Sequence, residues 1–519
     1  MTQYDQLLSE MAELKAKPQS SVSAAAVARQ HSKGRLTVWQ RLELLTNGHY
    51  EVLWRNFGDS LDGASIVTAL GEINGRVVGV YGHDFTQRAG AMDAHNGEKL
   101  ARFLAYVGKL GVPLIGMNDS AGAYIPAGVG GLESYAKAFR GLRLLSGRVP
   151  SLMAMFGFNA GGGAYLPRQG SFIIQPKDSF FGLTGPGVVQ SVLGEHVTAD
   201  QLGGPNVHQA SGVCDFTVDT EQDALALMGQ LLQYLPNNAE QAPPQLKTCD
   251  PISRSTITID RVLRDMVESP AGFHTPFDVR LIIQDFVDYG DYCEVQAGRS
   301  SNMICAFARL NGIVIGIVAN NSAVDSGQID CDAAHKATRF IRFANLYNIP
   351  LIFLEDTTGF LPGQAQEQRG IVQAGRALLD AIVDIRVPRL LLILRNAFGG
   401  AYASFNNYST GADVVLALPT ARIAVMGTAG AAFVYKDEFR QIQHAFAQDQ
   451  DEVARDTALA KLNDTYTQAF LNPREALSLG AVSDIVDPQQ VRACLAQHLN
   501  RLWSGYQVSS MAGSHREFH

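Results

Sequence analysis

The sequence predicts an α/β protein made of two homologous domains that arose by internal duplication. Short apolar runs typical of buried strands alternate with patterns typical of helices. The same order of elements recurs in the second half of the chain, and a polar, proline-rich stretch at residues 236–254 separates the halves. We therefore expect two domains, residues 1–250 and 251–519, each with a parallel or mixed sheet and outer helices.

Composition and charge limit the class of protein. The 519 residues are too many for one hydrophobic core, and 46% of them are hydrophobic while 18% are charged. A formal net charge of -8 argues against nucleic acid or an anionic membrane as the main partner. Residues 1–17 lack the features of a signal or transit peptide, and no apolar run reaches membrane-spanning length. We therefore expect a cytoplasmic protein.

Motifs for metal binding and nucleophilic catalysis are missing from the sequence. The six cysteines are scattered without a C-x-x-C pair, so we expect neither a zinc site nor a disulfide framework. G-x-S-x-G, H-E-x-x-H, a P-loop and a dinucleotide-binding G-x-G-x-x-G after a strand do not occur either. The sequence thus offers no side chain that stands out as nucleophile, general base or metal ligand.

The internal repeat keeps one spacing over most of its length. The hairpin signal Asn74-Gly75 recurs 237 residues later, at Asn311-Gly312. The pairs at this spacing are Gly75 and Gly312, Lys99 and Lys336, Pro113 and Pro350, Asp119 and Asp356, and Gly122 and Gly359. Lys99 and Lys336 could contact phosphate, but we interpret them as solvated helix lysines.

Two glycine-rich turns stand at corresponding places in the repeat. Residues 159–165 read Asn-Ala-Gly-Gly-Gly-Ala-Tyr and residues 396–402 read Asn-Ala-Phe-Gly-Gly-Ala-Tyr. The Arg-Val-Pro before each turn is spaced by 238 (Pro150 and Pro388), and Gly-Gly-Ala-Tyr returns to 237. A buried strand that ends in glycines leaves backbone N–H groups free to bind an anionic oxygen. A single copy would be interpreted as a tight turn, but two copies in register predict a reaction with two stabilised oxyanions.

Several further motifs resemble a known family. Their order is similar to that in biotin-dependent acyl-CoA carboxyltransferases, namely the β subunits of propionyl-CoA-type carboxylases and the large subunit of methylmalonyl-CoA transcarboxylase. The resemblance spans roughly residues 31–503. The motifs that carry it are His31-Ser32-Lys33-Gly34, Asp119-Ser120-Ala121-Gly122-Ala123, Thr184-Gly185-Pro186, Leu202-Gly203-Gly204, Thr358-Gly359-Phe360-Leu361-Pro362-Gly363, Gly399-Gly400-Ala401-Tyr402 and Ile423-Ala424-Val425-Met426-Gly427.

This resemblance implies an architecture, a reaction and partners. It implies two crotonase-like domains, of the ClpP/crotonase superfamily, in a homo-hexamer that is a dimer of trimers. The N-terminal domain would bind acyl-CoA and the C-terminal domain biotin, with no metal in this subunit. Carboxybiotin would release CO2, its ureido oxyanion would take the α-proton, and the acyl-CoA enolate would attack CO2. No lysine stands in an Ala-Met-Lys-Met context, so the biotin would be carried by a separate biotin carboxyl carrier protein, loaded by a biotin carboxylase subunit.

The resemblance also implies which residues form the site. The thioester oxygen would be held by N–H groups of Gly161, Gly162 and Gly163, although which two of them remains open by one residue. The biotin oxygen would be held by Gly400 and Ala401. The implied substrate contacts are Ala121, Gly122, Ala123, Tyr124, Gly185, Pro186, Gly359, Phe360, Tyr402 and Ala403.

Some positions depart from the family pattern. Tyr124-Ile125-Pro126-Ala127 stand where close relatives carry Arg-Ile-Gln-Glu, and Ala403 replaces an aspartate that helps to choose the acyl chain. Gln368-Arg369 replaces the usual Tyr-Gly. These changes predict an unusual acyl group, or an acyl carrier protein in place of CoA.

Three alternative functions remain open at this level. The same half-reaction in reverse gives a biotin-dependent decarboxylase or a transcarboxylase. The changed pocket is also compatible with a biotin-independent, crotonase-like decarboxylase of malonyl-type thioesters. A non-catalytic scaffold is the third alternative, against which the two intact turns argue.

Overall fold

The computed structural model describes residues 2–20, 23–55, 65–446 and 452–508. These residues divide into two compact units, with the boundary between Pro244 and Gln245. The short segment Leu346–Asn348 belongs to the first unit, although the chain around it belongs to the second. We call them the N-unit and the C-unit.

The N-unit contains a seven-stranded mixed sheet in the order β1-β2-β3-β4-β5-β7-β9. The first three strands pair antiparallel, and every later pair is parallel. Strands β6 and β8 form a separate parallel pair. The strands are β1 Tyr50–Leu53, β2 Ile66–Ile73, β3 Arg76–His83, β4 Leu114–Asn118, β5 Ser151–Met155, β6 Phe158–Ala160, β7 Phe172–Pro176, β8 Phe180–Gly182 and β9 Phe216–Val218.

Polar side chains fix where several N-unit helices begin. Thr37 and Gln40 form a reciprocal capping box at the start of α3, and Asp93 accepts the Asn96 N–H at the start of α4. The left-handed Gly111 then ends α4. The helices are α1 Gln3–Ser20, α2 Ala24–His31, α3 Val38–Thr46, α4 Ala94–Leu110, α5 Val129–Leu145, α6 Gly162–Arg168, α7 Pro186–Leu193, α8 Ala199–Gly203, α9 Pro205–Ser211 and α10 Glu221–Leu232.

The C-unit contains a mixed sheet in the order β10-β11-β12-β13-β14-β15-β17, and β16 pairs with the end of β14. The strands are β10 Tyr292–Val295, β11 Met303–Leu310, β12 Ile313–Asn320, β13 Leu351–Thr357, β14 Arg389–Phe398, β15 Val414–Ala417, β16 Arg422–Ala424 and β17 Asp484–Ile485. The helices are α11 Ile257–Glu268, α12 Val279–Phe286, α13 Cys331–Leu346, α14 Gln364–Gln368, α15 Ile371–Val383, α16 Gly399–Ser404, α17 Ala431–Val434, α18 Lys436–Ala445, α19 Glu452–Phe470, α20 Arg474–Ser478 and α21 Val491–Gly505.

The two sheets share one pattern of pairing. In both, two antiparallel pairs are followed by four parallel pairs. The hairpins β2–β3 and β11–β12 begin and end at residues 237 apart, and so do the isolated bridges Met92–Ala123 and Ile329–Phe360. The predicted α/β class with mixed sheets is confirmed.

The central strands are buried along their whole length, as expected for parallel strands in the middle of an α/β sheet. All ten residues of β14 are buried, and so are all five of β4. In such sheets, ligands bind beyond the carboxyl ends of the parallel strands. The two glycine-rich turns lie at this edge of their sheets.

Candidate active site

The N-unit turn links β6 to α6 through Gly161. Gly161 has φ +57° and ψ −119°, a conformation that only glycine adopts without strain. Its N–H donates to the carbonyl oxygens of Gly182 (3.1 Å) and Leu183 (3.2 Å) at the end of β8. The N–H of Gly161 is therefore used within the fold.

Gly162 and Gly163 carry the available N–H groups of this turn. They are the first two residues of α6, where N–H groups have no acceptor within the helix. Among the described residues, none accepts a hydrogen bond from either group. A Cβ atom on Gly162 would lie 2.5 Å from the ring of Tyr135, so the tight packing requires glycine here.

The predicted residues Ala121 and Gly122 lie against this turn. The Ser120 N–H donates to Asn159 Oδ1 (3.1 Å), and the Gly122 N–H donates to Ser120 Oγ (3.1 Å). A Cβ atom on Gly122, whose φ is +101°, would lie 3.2 Å from the carbonyl oxygen of Ala160. These contacts fix the loop after β4 beside the glycine turn.

The remaining predicted residues of the N-unit extend the same edge. Ala123 forms a parallel bridge with Met92, and the Tyr124 N–H donates to the Met92 carbonyl oxygen at 2.8 Å. Gly185 precedes Pro186 at the start of α7, and a Cβ atom on Gly185 would lie 3.1 Å from the Phe158 ring. Ala123 and Tyr124 are thus joined to Met92, and Gly185 packs against Phe158 on the strand that leads into the glycine turn.

The C-unit turn also begins with a glycine of positive φ, at a different spacing. Gly399 has φ +58° and packs against the Val425 carbonyl, as Gly161 packs against the Leu183 carbonyl. Strand β6 pairs Phe158 with Phe180, and the end of β14 pairs Asn396 with Arg422 in the same arrangement.

These equivalent positions correct the register of the repeat. Gly161 and Gly399 are 238 residues apart, so the structural register at the turns differs by one residue from the spacing of 237 at which Gly-Gly-Ala-Tyr recurs. By residue identity Gly162 aligns with Gly399, but by backbone conformation it aligns with Gly400. The equivalent donors are Gly162 with Gly400 and Gly163 with Ala401.

Gly400 and Ala401 are the second and third residues of α16, so their N–H groups have no acceptor within the helix. No atom lies within 4 Å of a Cβ atom built on Gly400. A small side chain at this position would therefore meet no neighbouring atom.

The other predicted C-unit residues surround the turn after β13 and the first turn of α16. Thr357 pairs with Ala397 on β14, and the Gly359 N–H donates to Thr357 Oγ1 at 3.2 Å. Phe360 bridges to Ile329. The carbonyl oxygens of Tyr402 and Ala403 accept hydrogen bonds from the side-chain amide of Asn407 (2.7 and 2.9 Å).

A buried arginine holds the aspartate beneath each turn. In the N-unit, Arg41 on α3 binds Asp119 (2.9 Å) and Glu221 (2.7 Å). In the C-unit, Arg395 on β14 binds Asp356 with both Nε and Nη2 (2.9 and 2.8 Å). Burial raises the pKa of the Asp119 carboxyl to about 6, against the opposing effect of Arg41.

Sequence reasoning missed these arginines and Glu221. Only the aspartates repeat at the spacing of 237, whereas Arg41 and Arg395 come from different elements. The repeated aspartates at the ends of equivalent strands were the available signal.

The repeated lysines are buried, which corrects our interpretation of them as solvated. Lys99 Nζ donates to the Ile66 carbonyl oxygen (2.6 Å), and Lys336 Nζ donates to the Arg299 carbonyl oxygen (2.8 Å). Burial lowers the pKa of Lys99 to about 7 and also lowers that of Lys336. Both ammonium groups are engaged with the backbone.

Within the described ranges, no three His, Cys, Asp or Glu side chains come together in a way that could hold a metal ion. In the same residues, no helix is both long and apolar enough to cross a membrane. What the site offers chemically is two pairs of rigid backbone donors.

Comparisons with known proteins agree with this arrangement. A family model of the carboxyl transferase domain matches residues 29–518. The carboxyltransferase subunit of propionyl-CoA carboxylase from Haloferax mediterranei is 37% identical over 492 residues, which cover 92% of each chain. The alpha subunit of methylmalonyl-CoA decarboxylase from Propionigenium modestum is 36% identical over 490 residues, again 92% of each.

Solved structures extend the similarity to the whole fold. The structure of transcarboxylase 12S with hydrolysed methylmalonyl-coenzyme A bound superposes with a TM-score of 0.87 at 35% identity. The superposition covers 99% of this chain and 98% of that chain.

The paired backbone donors and these similarities define an enzyme that transfers carboxyl groups. The chain belongs to the carboxyl transferase family. The resemblance to acyl-CoA carboxyltransferases inferred from the sequence motifs is thereby confirmed.

Proposed function

We propose that this chain is the carboxyltransferase subunit of a biotin-dependent enzyme and moves a carboxyl group between carboxybiotin and the α-carbon of an acyl-CoA. The observation that carries the proposal is the pair of equivalent turns, each with two N–H groups that have no acceptor within their helix. Rigid N–H groups stabilise a developing oxyanion, and loss of one such donor costs about two to three orders of magnitude in rate.

Each turn holds a different oxygen. In the N-unit, Gly162 and Gly163 bind the thioester oxygen and stabilise the enolate, while Gly161 only fixes the turn. In the C-unit, Gly400 and Ala401 bind the ureido oxygen of biotin. No atom lies within 4 Å of a Cβ position on Gly400, which leaves room beside these donors. Bound carboxybiotin would supply CO2 and the base.

The assembly follows the relatives. The two domains, residues 1–250 and 251–519, are crotonase-like products of one duplication, as their matching strand order supports. Transcarboxylase 12S is described as a hexamer, and we propose a homo-hexamer, a dimer of trimers, for this chain. Biotin comes on a separate carrier protein that a biotin carboxylase subunit loads, in the cytoplasm.

The acyl group is expected to differ from propionyl. The Arg88 guanidinium lies 4.9 Å above the Tyr124 ring, at the position where the sequence departs from its close relatives. Ala403 is exposed on α16 and carries no charge that could choose the acyl chain. These two departures support an acyl group other than propionyl, or an acyl carrier protein in place of CoA.

The reverse half-reaction tests this proposal directly. Purified protein is incubated with free biocytin and malonyl-, methylmalonyl- or longer 2-carboxyacyl-CoAs, and the products are read by mass spectrometry. We expect acyl-CoA to form only when biocytin is present. Decarboxylation without biocytin would contradict the proposal and identify a biotin-independent decarboxylase.

A matched pair of variants assigns the biotin site. Gly400→Val places methyl groups in the open space before the C-unit turn, and we expect biocytin-dependent transfer to fall by about 100-fold. Gly505→Val is the control, because Gly505 at the end of α21 also has no atom within 4 Å of its Cβ position. Equal activity of both variants would contradict the assignment.

A further inference from the structure

Strand β14 is irregular just before the C-unit turn. Glu355 on β13 pairs with Ile393 on β14. The next pair joins Thr357 to Ala397, so the ladder advances two residues on β13 and four on β14. Residues 396–398 also pair with β16. Two extra residues thus stand in β14, and an irregularity of this kind bends a strand and re-aims the residues that follow it.

The carboxylate of Asp356 holds these residues in place. Asp356 stands between the two paired residues of β13, and its Oδ1 accepts the backbone N–H of Asn396 at 3.1 Å. The guanidinium of Arg395 donates to both carboxylate oxygens, from Nε to Oδ1 at 2.9 Å and from Nη2 to Oδ2 at 2.8 Å. Such a two-point contact fixes direction as well as distance. One carboxylate therefore holds two successive residues of β14 where the ladder is irregular.

The rest of the guanidinium is fixed as well. Its Nη1 donates to the carbonyl oxygens of Phe273 (3.0 Å) and Thr275 (2.6 Å), and the group lies 5.0 Å from the centre of the Phe277 ring. Only 4% of the Arg395 side chain and 2% of the Asp356 side chain are exposed. Because all three guanidinium nitrogens have partners in this buried setting, a change at Arg395 disturbs several bonds at once.

The donors of the C-unit turn follow this point closely. Three residues separate Asn396 from Gly400. Residues 397 and 398 are buried and pair with β16, and Gly399 begins α16. The segment is therefore regular structure with no loop that could absorb a displacement. The position of Asn396 thereby sets the position of the first N–H groups of α16.

The N-unit has no arginine at the equivalent place. Gly157 stands there, 238 residues before Arg395. Gly157 has φ +61°, and a Cβ atom on it would lie 2.4 Å from Asp119 Oδ1. Arg41 on α3 binds Asp119 instead. The N-unit arginine thus comes from outside the strand, whereas Arg395 belongs to the strand that ends in the donors.

We propose that Arg395 is a positioning residue for the C-unit turn. Bound to Asp356, it fixes the bend of β14 and with it the direction of the N–H groups of Gly400 and Ala401. Arg395 acts through these donors and not on the substrate. A displacement of such groups by about 1 Å costs about 100-fold in rate. The inference rests on the proposed role of Gly400 and Ala401 as donors to the ureido oxygen of biotin.

Kinetics of Arg395→Lys test the inference in the biocytin assay. Lysine keeps the charge but cannot make the two-point contact with Asp356. We expect the KM for biocytin to rise about tenfold, the effect of about one lost hydrogen bond, and kcat to fall about 100-fold. The KM for the carboxyacyl-CoA, which binds in the N-unit, stays unchanged. A purely structural role would lower the fraction of folded enzyme, and hence kcat, without changing either KM.

Arg492→Lys is the matched control in the same unit. The Arg492 side chain is fully buried, and its Nη2 donates to Asp288 Oδ1 at 2.7 Å. The Asp288 carboxylate accepts the backbone N–H groups of Asn311 (2.9 Å) and Gly312 (2.7 Å) in the β11–β12 hairpin. This is the chemistry of the proposed pair, at the amino ends of the parallel strands and thus at the opposite edge of the sheet from the turn. We expect both KM values of Arg492→Lys to equal the wild-type values, and the same rise in biocytin KM in both variants, or none in Arg395→Lys, overturns the inference.

Hydrogen exchange separates this inference from the proposed function, because it needs no substrate. In Arg395→Lys we expect the amides of residues 396–405 to exchange about tenfold faster than in the wild type, while those of β12 keep their rates. In Arg492→Lys, residues 396–405 exchange as in the wild type. Wild-type rates for residues 396–405 in Arg395→Lys, or an equal increase in β12, overturn the inference. If the segment exchanges faster as expected but no CoA ester reacts, the proposed function alone fails.

Discussion

The two units share one backbone frame and differ in the polar groups beneath it. Strand order, hairpin positions and the left-handed glycine of each turn are the same. The N-unit, however, places His83 and Asn118 at the ends of β3 and β4, where the C-unit has Asn320 and Glu355. The shared backbone places the N–H donors alike in both units, whereas the buried polar side chains at equivalent positions differ. Two turns of similar backbone conformation therefore lie above different buried polar groups.

The largest test of this comparison is the loss of a buried arginine. Arg41 neutralises two carboxylates and Arg395 only one, so their removal leaves different amounts of buried charge. Breaking a buried ion pair typically costs about 3–5 kcal/mol. We expect Arg41→Met to destabilise the N-unit by about 5 kcal/mol and Arg395→Met to destabilise the C-unit by about 3 kcal/mol.

The measurement must report on each unit separately, because a protein with two units need not unfold in one step. Hydrogen exchange of peptides from β4 and β13, at one protomer concentration, provides this. Arg376→Met is the control, because its ion pair with Asp380 is exposed and worth at most about 1 kcal/mol. Equal losses for both arginine variants would show that the charge count beneath the turns is unimportant.

A second test compares the glycines at equivalent donor positions. Gly162→Ala forces a methyl group against the Tyr135 ring, whereas the same change at Gly400 meets open space. Overpacking costs about 1–3 kcal/mol, while alanine in place of a helical glycine gains about 0.5–1 kcal/mol. We expect thermal unfolding to shift down for Gly162→Ala and to stay level or rise for Gly400→Ala. A matching loss in both variants would contradict the difference in packing.

The sequence allowed the turns and hairpins to be predicted because they depend on local residues. Asn-Gly between apolar runs is the strongest local signal for a tight hairpin, and it occurs at Asn74-Gly75 and Asn311-Gly312. The sequence did not distinguish Gly161 from the two glycines that follow it. Its use in bonds to Gly182 and Leu183 depends on β8, which no local pattern reveals.

The buried polar groups could not be predicted for the same reason. Arg41 reaches Asp119 across 78 residues of sequence, and nothing near either residue indicates the partner. Glu355 looks like an ordinary acidic residue beside Asp356 until the sheet and helices bury it. The alignment of the two glycine turns could not be predicted either. Residue identity aligns them one residue away from the alignment that the backbone conformation gives.

The smallest expected effect concerns pH and His83. This histidine is fully buried, and burial lowers its pKa to about 4 against the opposing effect of the Met117 backbone. In the unfolded chain a histidine titrates near pH 6.5, so the unfolded state binds more protons between pH 6.5 and pH 4. Stability therefore falls as the pH drops through this window.

His83→Asn copies the C-unit residue into the N-unit and removes this dependence. From the two pKa values, His83 accounts for a loss of about 2 kcal/mol between pH 7 and pH 5. We expect exchange-derived stability of the N-unit to fall less in His83→Asn by that amount, while His49→Asn, an exposed control, leaves the profile unchanged. If the pH dependence of N-unit stability is the same in His83→Asn as in the wild type, burial of His83 does not cause it. The difference between His83 and Asn320 would then have no effect on the stability of the two units.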